Sequence, residues 1–186
     1  FFSQAPIITD LLRQGILRSS ADWIMLINAD IIVMPDFLDQ LDEVLSRIDL
    51  QRYPWPFITV RRRDFTMTSP LLSEVELRSL SSSDARLHKV TGSDIFLTNR
   101  AFWNETLKVM PPFIYGRASW DVFFHRHAVL NSSLAVDASQ TVICYHPFHG
   151  SIIDRSNPEI FHNIMMYEAL YADEIILLDD PRWLAV

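Results

Sequence analysis

The sequence predicts a single α/β domain. Three observations carry that prediction. Short apolar runs lack polar/apolar alternation, as strands do when a sheet is covered on both faces. Between them lie apolar stripes at helical spacing. The chain has 186 residues, a length that suits one domain with a sizeable core. Strands that alternate with helices place the chain in the α/β class, as one domain over 1–186.

Taken in order, Pro6 to Arg18 reads as a helix, because Ile7/Ile8, Leu11/Leu12 and Ile16/Leu17 form one stripe and Pro6 suits the first turn. Trp23 to Ile27 reads as a buried strand that leads into Asn28-Ala29-Asp30. A second apolar run, Ile31 to Met34, meets Pro35, which opens a helix to about Asp49 with Phe37/Leu38, Leu41, Val44/Leu45 and Ile48 as its stripe. Pro54 and Pro56 break the chain before a strand at Phe57 to Val60 and the charged run Arg61-Arg62-Arg63-Asp64. Thr66 to Asp84 is Ser- and Thr-rich, with room for a short helix around Leu72 to Leu80; long polar segments of this kind are often mobile functional loops. Gly92-Ser93-Asp94 precedes a strand at Ile95 to Thr98, and Pro111-Pro112 and Gly116 bracket a loop. Arg117 to Leu130 reads as a helix with Trp120, Phe123/Phe124 and His127/Ala128 on its apolar face. Thr141 to Tyr145 reads as a strand that ends at His146-Pro147-Phe148-His149. Asn157 caps a helix from Pro158 to about Ala172, and Glu174 to Leu178 suits a last strand.

Composition narrows the partners. A net charge of −7 argues against a general nucleic-acid or anionic-membrane binder, which needs a basic face, and is compatible with a divalent cation. Cys144 is the single cysteine, so no intrachain disulfide forms. No apolar run reaches the length of a membrane span, and no signal peptide is visible. The chain opens on Phe1-Phe2-Ser3 without a Met, which suggests a fragment or a processed product.

Several side chains are candidates for chemistry. A carboxylate at the end of an apolar strand must be solvated, paired or bound to a metal, so Asp30 is the first to explain. In an extended strand Asn28 and Asp30 point to the same side, an oxygen pair suited to Mg²⁺ or Mn²⁺; the alternative is a strand-end turn in which both bond their own backbone. His146 and His149 follow an apolar strand and offer imidazoles for Mn²⁺ or Zn²⁺, or are ordinary loop histidines. Asp121 shares a helix face with His125 and reads either as a helix-dipole partner or as a general base. Arg117, at the same helix start, suits a phosphate or sugar acid. Arg61-Arg62-Arg63 reads as a phosphate site or a solvated strand end. Trp103, Tyr115 and Trp120 read as core aromatics or stacking surfaces. Asn104-Glu105-Thr106 and Asn131-Ser132-Ser133 match a glycosylation acceptor pattern.

The ordered set of motifs resembles the GT-A-fold glycosyltransferases, the nucleotide-diphospho-sugar transferases. It comprises Asn28 to Ile31, Pro35 to Phe37, Gly92 to Phe96, Pro111 to Asp121 and His146 to His149, with Asn163 and Asp180-Pro181-Arg182-Trp183 in the tail. The resemblance implies a GT-A-like mixed central sheet flanked by helices that lacks the first nucleotide-binding βαβ portion, so that the chain represents the C-terminal two-thirds of such a domain and exposes a sheet edge. It implies transfer of a sugar from a nucleotide-diphosphate donor to a carbohydrate or other hydroxyl acceptor, with Mn²⁺ or Mg²⁺ as cofactor. Asn28-Ala29-Asp30 takes the place of the family's D-x-D motif. Asp30 is then a metal ligand, Asn28 touches the donor ribose or a water on the metal, and His146 completes the metal site with His149 second. Asp121 matches the general base of inverting members. Arg117 faces the donor, and Asp94 and Trp120 line the acceptor side. Two other readings stay open: a non-catalytic carbohydrate- or partner-binding module of the same fold, and a metal-dependent hydrolase.

Overall fold

The computed structural model describes residues 5–67, 73–80, 83–149, 154, 156–171 and 178–186. Helix α1 spans Ile8–Arg18, with Asp10 in its first turn and Arg18 in its last, as the helix dipole favours. It starts two residues after Pro6, because Ile7 is extended and bridges Ile114. Strand β1, Trp23–Ile27, has the predicted bounds, and β2 is the short Ile32–Val33. Helix α2 spans Phe37–Ser46, shorter than expected at both ends. Asp36 directs its carboxylate to Arg78 and Gln40 rather than capping α2. Strand β3, Pro56–Val60, is followed directly by β4, Arg63–Phe65. Helix α3, Glu74–Ser79, begins at a capping box between Ser73 and Glu76.

Strand β5, Ala85–Leu87, and β6, Ile95–Asn99, precede helix α4, Arg100–Val109, whose start is fixed by the Asn99 side chain accepting from the Phe102 N–H. Helix α5 spans Trp120–Asn131 and not Arg117 onward, because Gly116 and Ser119 have φ of 71° and 79°. Those left-handed residues break a helical path. Strands β7, Leu134–Asp137, and β8, Cys144–Pro147, follow. The strand expected over Thr141 to Tyr145 lies further along the chain, since Thr141 and Val142 close a turn on the Ala138 carbonyl. His146 therefore sits inside a strand. Helix α6, Pro158–Tyr171, is capped as expected by Asn157, whose side chain accepts from the Glu159 and Ile160 N–H groups. Strand β9 is Trp183–Ala185. The strand expected over Glu174 to Leu178 falls outside the described residues, except for Leu178, which lies in a turn.

The strands form two mixed sheets. The larger has the order β1-β6-β3-β7-β9, with β1/β6 and β6/β3 antiparallel and β3/β7 and β7/β9 parallel. The smaller has the order β2-β8-β4-β5, with β8/β4 parallel. The α/β class is thus correct, with mixed sheets and helices. Helices cover both faces of the larger sheet. Phe57 and Phe96 face an aromatic core with Phe102, Trp103, Phe113, Trp120, Phe123 and Phe124. Ile58, Val60, Ile95 and Leu97 face Phe37, Leu41 and Val44 of α2. Strand β3 is central and buried along its whole length.

Strand β1 was expected to be buried. It lies at the sheet edge, paired only to β6 among the described strands, and all five of its residues are half-buried. Its continuous apolar run reflects two covered faces, while its open side admits solvent. No helix among the described residues is long and apolar enough to cross a membrane.

Three connections step from the larger sheet to the smaller: β1 to β2, β3 to β4, and β7 to β8. The polar residues of Asn28–Ile31 and Arg61–Arg62 lie on two of them.

Candidate metal centre and cleft

Asp30, His146 and His149 come together at this step. His146 Nε2 stands 3.3 Å from Asp30 Oδ2 and 3.1 Å from His149 Nε2, and His149 Nε2 stands 3.4 Å from the same Asp30 oxygen. Three donors about 2.1 Å from one ion, at tetrahedral to octahedral angles, stand about 3.0–3.4 Å apart. The triangle therefore has the dimensions of a metal-ligand set, and these three residues form such a group. The side chains of Asp30 and His149 are 49% and 59% exposed and that of His146 only 5%, so the set is anchored on its inner side and open on its outer side.

His146 is held from behind. Its Nδ1 lies 3.0 Å from Asp64 Oδ1 on the adjacent β4. A carboxylate only accepts, so Nδ1 carries the hydrogen and Nε2 offers its lone pair to the open side. Burial acts to raise the pKa of Asp64, but hydrogen bonds from His88 and Arg62 outweigh it and hold the carboxyl well below the ordinary range. Two imidazoles with one carboxylate suit Mn²⁺ or Zn²⁺ better than Mg²⁺, which prefers oxygen. The residues present fit a divalent transition metal. Cys144 is buried, with its thiol pushed up to about 12, mainly by that burial, and does not compete as a ligand.

Asn28 and Asp30 do not share one side. Strand β1 ends at Ile27, and the Ile31 N–H closes a turn on the Asn28 carbonyl at 3.3 Å. Asn28 Nδ2 donates to Asp94 Oδ1 at 2.7 Å, while Asp30 turns to the histidines. Asp94 is 2% exposed and is clamped by Arg62 Nη1 at 2.6 Å. Asn28 Oδ1 and Asp94 Oδ2 are buried with no hydrogen-bond partner among the described residues, a costly arrangement. The Ala29 N–H donates to the Tyr115 hydroxyl, which ties the turn to the loop before α5.

Asp121, in the first turn of α5, has its carboxyl raised to about 6, first by burial and also by the charge of Asp94. A carboxylate in that range is poised to take a proton near neutral pH. His125, which shares its helix face, is wholly buried, lies 2.9 Å from Ser93 Oγ, and is held neutral down to about pH 3 by burial and the nearby Arg61 charge.

Trp120 was expected to line the acceptor side. It is 4% exposed and packs its ring against Phe96, Phe124 and Tyr115, so it is a core residue. Arg117 was expected to face a donor. Its guanidinium pairs with the buried Glu159 of α6, with both Nε and Nη2 at 2.6 Å from Oε2. Arg61 and Arg62 of the basic run are paired inward with Asp137, Asp64 and Asp94 rather than forming a solvated strand end.

Sequence reading missed Asp64 and His88, and it read Arg62 as a phosphate or solvent contact rather than as the partner of Asp64 and Asp94. For Asp64 a signal existed, since it follows an apolar strand as Asp30 does. For His88, which lies 2.6 Å from Asp64 Oδ2, no local pattern marks it. Comparison with known proteins adds no relative: no family model, no curated protein and no solved structure matches the chain.

Proposed function

We propose that the chain is the metal-binding and acceptor-side part of a glycosyltransferase that moves a sugar from a nucleotide-diphosphate donor to a hydroxyl acceptor. The observation that supports this most is the meeting of Asp30 with His146, 116 residues away in sequence, at the end of the strand that bears the D-x-D-like motif. The mixed sheet, the GT-A-like order of motifs and the raised carboxyl of Asp121 support it further.

Asp30, His146 and His149 would hold a divalent cation, Mn²⁺ before Mg²⁺, and a bound cation supplies positive charge for the leaving diphosphate. Asp64 keeps the His146 ring in the tautomer that binds metal. Asp94 fixes Asn28 beside that site. Asp121 takes the proton of the acceptor hydroxyl as its oxygen attacks, the role that its raised pKa favours.

The test is calorimetric titration with Mn²⁺ and then with a panel of uridine- and guanosine-diphosphate sugars. Metal-dependent sugar-nucleotide binding that Asp30→Ala abolishes is the expected result. Mn²⁺ binding unchanged by Asp30→Ala would reject the metal centre on which this reading rests.

A metal-dependent hydrolase is the second reading. The two-imidazole, one-carboxylate donor set favours it, because hydrolytic metal sites use that set. Release of phosphate from simple phosphoesters, with no sugar nucleotide present, separates the two.

A further inference from the structure

Gly92 lies in the turn before β6, where its N–H donates to the Lys89 carbonyl. A Cβ at this position would stand 3.0 Å from Asp121 Oδ2 and 3.6 Å from His88 Nε2. A carboxylate and an imidazole from segments remote in sequence thus border the same small space, and the missing side chain of Gly92 is what gives them room. Each is fixed from its own side. Asp121 enters from the first turn of α5, directly after Ser119, whose φ of 79° is a strained conformation for a non-glycine residue. His88 is fixed by its other nitrogen, Nδ1, 2.6 Å from Asp64 Oδ2. Asp64 only accepts there, so neutral His88 carries its hydrogen on Nδ1 and a lone pair on Nε2, the ring atom that borders the Gly92 space opposite Asp121 Oδ2.

We propose that His88 is a positioning residue that acts through Asp121, receiving at Nε2 the proton that Asp121 removes from the acceptor hydroxyl, while Asp64 holds its Nδ1–H. The identity of that acceptor rests on the glycosyl-transfer reading; the pairing of His88 with Asp121 rests on the geometry alone. In the step, the acceptor oxygen forms its bond to the anomeric carbon of the donor. The bond from that carbon to the diphosphate oxygen breaks, and its electron pair leaves on the diphosphate. The hydroxyl proton passes to Asp121 and on to His88, so Asp121 ends as a carboxylate. The resulting imidazolium is balanced by Asp64 and Asp121, and His88, 26% exposed, can release the proton to solvent. The other charged groups around the pair are Asp94, which faces Asp121, Arg62, which clamps both Asp94 and Asp64, and Arg61, whose Nη1 donates to the His88 carbonyl.

The test follows the His88 ring resonances by NMR across pH in the native chain, in Asp121→Asn and in Gly92→Ala. The native ring should show an inflection at the titration of Asp121, near pH 6. Asp121→Asn should erase it. Gly92→Ala, whose methyl separates the two groups, should weaken it while leaving Mn²⁺ affinity within a few-fold. With donor and acceptor, His88→Gln should lower kcat about tenfold or more and leave the donor KM unchanged. A His88 resonance indifferent to Asp121→Asn overturns the pairing. An inflection that disappears as expected, in a protein that turns over no sugar nucleotide, supports the pairing and rejects the transferase reading instead.

Discussion

His146 and His149 beside Asp30, and His125 and His127 on α5, are two closely spaced histidine pairs with opposite fates. The first pair sets two Nε2 atoms 3.1 Å apart beside a carboxylate, with the outer side open to solvent. The second pair is dispersed into the core. His125 meets Ser93, and His127 stacks on Phe123 at 5.3 Å and meets Thr106 Oγ1. Burial lowers their pKa values to about 3 and about 4. The difference lies in what stands behind and in front of each ring. A ligand needs a partner behind it and solvent before it, as His146 has in Asp64 and the exposed side of Asp30 and His149. A core histidine needs only a neutral partner and apolar walls.

The largest test of this comparison is His146→Ala, which should reduce Mn²⁺ binding below calorimetric detection. An equal effect from His127→Gln would erase the distinction between the pairs. Asp121→Asn should lower transfer by about 10²–10⁴-fold. In the native protein the rate should rise through about pH 6, as the Asp121 carboxyl loses its proton, and level above it. A rate already level at pH 5 would remove Asp121 as the base. Asp64→Asn should weaken Mn²⁺ binding about 10–100-fold, the usual effect of losing the partner behind a ligating histidine; calorimetry at fixed pH measures it.

The smallest effect belongs to the buried pair. Both histidines have folded-state values depressed below the ordinary 6.5. As pH falls below about 6.5, the unfolded chain binds protons that the folded chain refuses, so stability drops by about 1.4 kcal/mol per pH unit for each. The loss should run from pH 6.5 down to about 4 for His127 and about 3 for His125. Urea unfolding at several pH values checks this, and His127→Gln should lower the slope by about 1.4 kcal/mol per pH unit between pH 6.5 and about 4.

Much of the fold was legible. Trp23–Ile27, the short helix at Glu74–Ser79 and the Asn157 cap lie where apolar runs, capping residues and spacing put them. The elements that went unread were short or capped by a single side chain, such as β4, β5, β7, β9 and the helix that Asn99 starts. Two short runs show why sequence could not order the sheet. Trp23–Ile27 and Phe57 to Val60 both read as strands, yet one forms an edge and the other the centre. An apolar run reports that both faces are covered, and strand neighbours are chosen by long-range pairing that leaves no local mark.

The site divides in the same way. By itself the sequence determined which side chains had a cost to explain: a carboxylate after an apolar strand at Asp30, and imidazoles after another at His146 and His149. Only the tertiary structure decided their partners. It turned Asn28 inward to Asp94, buried Trp120 in the aromatic core, gave Arg117 to Glu159, and brought Asp64 and His88 behind His146. The physical reason is range. Solvation cost belongs to a residue and its immediate neighbours, whereas a hydrogen bond or a ligand triangle needs atoms within about 3 Å. Segments more than 100 residues apart, such as those of Asp30 and His146, reach that distance only when the two sheets form.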